Sequence, residues 1–219
     1  MLRALFEKTG RAVYISHLDL MRLFQRAFQR AGLPLTHGQG FNPRPFVSIA
    51  LPMSLGMESR CELLEFQLDG VEVPGEEICR RLNDALVEGV RVLEVYEGER
   101  KLKCLSLLRC RLTLEYDRGI PEGAEDQIDA LFRRERLMVE KKGKNGTVEQ
   151  DILPMLKSWK LERLNPQELA LEALICCQNP TLNPMQLEAA IRVYLPELAP
   201  DFSRCCRMEI YDSEQTVFR

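Results

Sequence analysis

An α+β fold built from two successive β-α-β-β-α-β halves is what this sequence predicts. Three observations carry the prediction. Short runs that alternate apolar and polar residues interchange with longer runs of helical period. The order strand, helix, strand, strand, helix, strand occurs twice. The chain's 219 residues suffice for two small domains, each with a core of its own.

In the first half, residues 2–15 read as a strand, with a bend at Thr9-Gly10. Ser16 has the chemistry of a helix N-cap, and Asp19 places a negative charge at the positive end of the helix dipole. A helix is expected over 17–31, with Leu20, Met21, Leu23, Phe24, Ala27, Phe28 and Ala31 at helical spacing and Gly32 ending it. Leu33-Pro34-Leu35-Thr36 begins a second strand, and 47–53 and 60–70 read as further strand segments. A second helix over 75–89 and a strand over 90–98 complete the half.

In the second half, 109–117 reads as a strand, 123–135 as a helix, and 137–145 as a strand running into a basic turn. A strand over 168–177, a helix over 183–195 and a strand over 203–212 follow, while 147–165 is left without an element. Two tandem ferredoxin-like halves are therefore expected, 1–100 and 106–219. One continuous α+β domain is the alternative.

Composition places the chain among ordinary globular proteins, with 45% hydrophobic and 29% charged residues. No apolar run approaches the roughly 18 residues of a membrane span. The N-terminal stretch reads as a strand and carries Glu7, unlike a signal peptide, so a cytoplasmic location and no membrane partner are expected. The eight cysteines show no C-x-x-C spacing, and adjacent ones such as Cys176 and Cys177 point to opposite faces of a strand. Reduced structural thiols are expected, with no metal and no cofactor.

Net charge is −3, which announces no polyanion partner, yet the charge is segregated. Residues 1–60 hold eight basic side chains against three acids, +5, which leaves −8 for the other 159. Arg22, Arg26 and Arg30 follow one another at i, i+4, i+8 and so line one side of the first helix. Arginines in such a row suit a chain of phosphates, although a solvated helix face has the same pattern.

The loop HGQGFNPRP, 37–45, alternates glycine and proline and keeps His37, Gln39, Asn42 and Arg44 as donors, with Phe41 placed either to stack on a ligand or to plug the core. A structurally demanding turn is the alternative reading. The basic turn KKGKNG, 141–146, carries Lys141, Lys142 and Lys144 and is either a solvated hairpin or a second contact for the same polyanion. A P-loop pattern is missing. With two histidines and no nucleophile or paired-acid motif, His37 is the only candidate general acid–base, and a weak one.

The run FEKTGRAVYISHLDLMRLFQRAFQRAGLPLTHGQGFNPRPFVSIALPMSLGMES, 6–59, closely resembles the opening of the bacterial radical SAM-linked protein family, a domain of unknown function found beside or fused to radical SAM proteins. The shared signature is ISHLDLMR, RAGLP, GFNPRP and LPMSLGMES, with weaker agreement after residue 100 at KKGK and LNPMQL. The resemblance implies a radical SAM protein as partner and supplies no catalytic residues. The chain lacks the three-cysteine cluster motif, so it is not expected to be the radical SAM catalyst. In outline, two such halves with a histidine-bearing helix and a Gly-rich loop also look like CRISPR repeat-processing endonucleases, an analogy of fold alone.

The expected function is thus a non-catalytic module that binds RNA for a radical SAM enzyme. Arg22, Arg26 and Arg44 would meet phosphates, while His37, Gln39 and Asn42 would read backbone or bases. The rivals are a protein-interaction subunit without nucleic acid and a small RNA-processing enzyme using His37.

Overall fold

The computed structural model describes residues 1–143 and 146–219. The chain is a mixed α+β protein with antiparallel strand pairing and four α-helices among the described residues. It divides into two compact units, Met1–Cys104 with Arg219, and Leu105–Phe218.

In the first unit the order is β1 (Leu2–Lys8), α1 (His17–Arg30), β2 (Val47–Ile49), β3 (Glu58–Phe66), α2 (Gly75–Ala85) and β4 (Val90–Glu97). The strands lie side by side as β4-β1-β3-β2. Alternation in β1 turns Ala4 and Phe6 into a core shared with Leu20, Phe24, Ala27 and Phe28 of α1 and Ile78 and Leu82 of α2. The spacing of those apolar positions explains why each segment is a helix and which face it buries. Phe6 meets Phe24 edge-on at a centroid distance of 4.8 Å, and Phe28 meets Phe66 at the same distance. Each fully buried side chain of this kind contributes about 1.5–3 kcal/mol.

The expected strand over 2–15 stops at Lys8. Residues Gly10–Tyr14 form a single 3-10 turn that buries Ala12 and Val13. Just beyond the strand the backbones approach closely, the Thr9 amide donating to the Gly89 carbonyl at 2.8 Å. Gly89 has φ +85°, and a Cβ there would lie 2.5 Å from the Thr9 carbonyl oxygen. Gly89→Ala is therefore expected to destabilise the unit by more than the roughly 1–2 kcal/mol that left-handed backbone alone costs a non-glycine residue. Urea unfolding checks this, and a loss below that range would contradict it. Residues 33–36 likewise make only one isolated bridge, Leu35 to Leu68, and the strand expected over 47–53 closes at Ile49. The second helix ends at Ala85 rather than 89, and the Arg30 guanidinium donates to the Ala85 carbonyl at 2.5 Å, satisfying a helix-end acceptor.

The second unit contains β5 (Leu107–Glu115), α3 (Ala124–Phe132), β6 (Met138–Gly143), β7 (Gly146–Asp151), β8 (Leu156–Arg163), β9 (Glu168–Cys176), α4 (Met185–Tyr194) and β10 (Phe202–Tyr211). Its sheet runs β10-β5-β9-β8, and β6 pairs with β7 in a separate hairpin. This corrects the expected role of 137–145, because β8, inside the stretch left without an element, is the strand that pairs with β9. A register shift between Leu156 and Ser158 breaks the period-2 pattern of β8, and most of its side chains are exposed. Those two properties hide it from a pattern reading. Trp159 anchors it: the ring packs edge-on against Phe132, and its Nε1 donates to Asp129 Oδ1 at 3.0 Å.

Candidate functional site

The three arginines of α1 have different circumstances. Ser16 caps the helix by accepting from the Asp19 amide at 3.2 Å and donates its hydroxyl to Asp19 Oδ2 at 2.7 Å. Asp19 in turn receives Arg22 at 3.0 Å. The Ser16 hydroxyl first, and then the Arg22 guanidinium, hold the Asp19 carboxyl below the usual carboxylate range. It therefore stays ionised at neutral pH, and Arg22 keeps its acidic neighbour. Arg30 is engaged by the Ala85 carbonyl. Among the described residues, the Arg26 side chain has no hydrogen-bond or ion-pair partner. The row of three is thus one free cation between two occupied ones.

The loop after α1 is a small hairpin. The Phe46 amide donates to the Thr36 carbonyl at 2.7 Å and the Gly38 amide to the Arg44 carbonyl at 2.9 Å, with His37 paired to Pro45 between them. Pro45 has no N–H, but in this antiparallel register the ladder bonds come from its neighbours, so none is lost. The base is fastened to the strand ladder by Thr36 N–H to Gln67 O at 2.9 Å and Gln67 N–H to Phe46 O at 3.1 Å. At the tip, Gly40 takes φ +147°, a backbone angle that favours glycine.

This geometry decides where Phe41 goes. It is fully exposed at the tip and does not plug the core. Gln39, Asn42 and Arg44 are exposed around it, without side-chain partners among the described residues.

A cleft of about 490 Å³ brings helix and loop together. Phe28, Leu33, Pro34, Leu35 and Pro45 supply its apolar lining, and Gln25, Arg26, Gln29 and His37 its polar one. On the other side of Arg26 a second hollow, about 430 Å³, is lined by Asp19, Arg22 and Arg30 among others. Sequence reasoning does not single out Gln25 and Gln29, although each precedes an arginine of the row and repeats its i, i+4 spacing. The lining of the first cleft holds no carboxylate, hydroxyl or thiol among the described residues, so His37 has no second group there to relay a proton.

In the second unit, Lys141 and Lys142 belong to β6, opposite Val148 and Thr147. Lys144 and the Lys142 side chain lie outside the described residues. Among the described residues there is no group of three or more His, Cys, Asp or Glu arranged to hold a metal ion, and no helix long and apolar enough to cross a membrane.

The profile of an "uncharacterized protein conserved in bacteria" family, DUF2344, matches residues 1–184. The chain belongs to the DUF2344 family. Every candidate residue named above, from Arg22 to Lys144, lies inside the matched part of this DUF2344 chain. No curated protein matches it. A crystal structure of an unknown protein from Galdieria sulphuraria is similar over 94% of this chain and 96% of its own, at 12% identity and a TM-score of 0.27.

Proposed function

We propose that this DUF2344 chain is a non-catalytic RNA-binding module that serves a radical SAM enzyme. The observation that carries the reading is the tip of the loop after α1. Phe41 stands fully in water on a hydrogen-bonded hairpin, with Gln39, Asn42 and Arg44 unpartnered beside it among the described residues. An exposed aromatic ring interleaved with cations and amides is the pattern by which proteins hold single-stranded nucleic acid. The ring stacks on a base and the guanidinium meets the backbone. Arg26, unpartnered on α1 among the described residues, adds a second phosphate contact, and Lys141, Lys142 and Lys144 are assigned as further ones.

The radical SAM partner rests on the resemblance of residues 6–59. Each unit is read as a ferredoxin-like half. In support, the first has the order β-α-β-β-α-β with strands arranged β4-β1-β3-β2, and β10-β5-β9-β8 in the second follows the same scheme once the β6–β7 hairpin is set aside.

Fluorescence anisotropy with a single-stranded RNA tests the function. Phe41→Ala is expected to weaken binding by about 1–3 kcal/mol, the worth of one stacked base. Unchanged affinity in that variant, or capture of the enzyme by a preparation free of RNA, would replace this reading with a protein-docking one.

A further inference from the structure

The cleft between α1 and the loop holds more than a phosphate contact requires. Gln25 and Gln29, one turn apart, present two amides to the same space, with His37 facing them from the loop base and Arg26 at the side. None of the four side chains has a hydrogen-bond or ion-pair partner among the described residues. The apolar surface beside them is that of Pro34 and Pro45, backed by the buried Phe28, Leu33 and Leu35. Phosphates need no apolar floor, and a purely apolar ligand needs no amides.

A flat heterocycle with donors and acceptors on its edge needs both. About 490 Å³ is within the roughly 300–1,000 Å³ typical of small-ligand pockets. We infer that the cleft receives one unpaired base of the bound RNA, turned out of its stack, with its face against Pro34 and Pro45. Gln25 and Gln29 read the edge of the base, and Arg26 holds its phosphate. A glutamine amide offers a donor and an acceptor side by side, which is how such side chains distinguish one base from another.

The inference rests on the RNA-binding reading and goes beyond it, since a track of cations and one stacked ring has no base preference. The two separate in one experiment. Anisotropy is measured with twelve-nucleotide oligomers of adenosine, cytidine or uridine, and with a mixed oligomer carrying one abasic site. Wild-type protein is compared with Gln25→Leu/Gln29→Leu. The expected result is a preference of roughly fivefold or more for one base, the lower worth of a good paired contact. The double variant should lose that preference, its affinity for the preferred oligomer falling roughly fivefold to the level of the others. Equal affinity for all oligomers, or a preference that survives in the variant, overturns the base pocket and leaves RNA binding standing. No binding to any oligomer overturns both.

Discussion

Replacing Phe24 by alanine is expected to cost the first unit about 3–5 kcal/mol, the range for a large aromatic side chain removed from a closed core. Phe24 is fully buried, edge-on to Phe6 at 4.8 Å, between β1 and the buried face of α1. The removed ring contributes its own burial. The hole it leaves adds to the loss, because the strands on one side and the helix on the other cannot both relax into it. A domain of this size has about 5–15 kcal/mol of stability in total, so the loss is a large fraction of it. Far-UV circular dichroism in urea is the suitable measurement, since Trp159 belongs to the second unit and its fluorescence does not report the site of the change. A loss under about 1 kcal/mol would mean that Phe24 does not occupy a packed core.

The second large effect concerns salt. With Arg22, Arg26 and Arg44 all replaced by alanine, the slope of log affinity for single-stranded RNA against log salt is expected to flatten by up to about 2, at roughly 0.7 per phosphate contact. The three contributions should be unequal. Arg26 and Arg44 have no partner to give up among the described residues, whereas Arg22 must leave Asp19 before it can meet a phosphate. Arg26→Ala should therefore cost more affinity than Arg22→Ala, and Arg26→Lys should restore the slope better than the affinity, because lysine supplies the charge without the fork. Folding is not at issue, as exposed side chains of this kind change stability by about 0.5 kcal/mol or less. A slope unchanged in the triple variant would refute the phosphate assignment.

The buried face of α1 is legible in the amino-acid sequence to the residue, because Leu20, Phe24, Ala27 and Phe28 can share one side of a helix and share nothing in a strand. The Ser16 cap and the place where α1 stops are legible for the same reason, being local chemistry. The end of β1 at Lys8 is not, because apolar residues such as Ala12 and Val13 fit a buried strand and a buried 3-10 turn equally well. Nor is β8, whose partner β9 lies further along the chain and whose own side chains are mostly polar.

At the candidate site the sequence identifies the cations but not their availability. That Arg30 is taken by a carbonyl of α2, 55 residues away, is a tertiary fact with no local trace. The destination of Phe41 is similarly undecidable from sequence, since an aromatic residue between glycine and asparagine fits a core plug and an exposed tip alike. Only the hydrogen bonds that fix the hairpin base settle which it is.

The cysteines offer the experimentalist a handle. Cys61, Cys110, Cys176 and Cys205 are buried, and burial pushes the Cys205 thiol up to about 12, far from the thiolate that reacts with alkylating probes. Cys79, Cys177 and Cys206 are half-covered, and Cys104 is the one exposed thiol. A brief treatment of the native protein with a maleimide dye should therefore mark Cys104 first. That would place a single reporter in the first unit, outside the helix and hairpin whose ligand it would be used to detect, with no residue replaced.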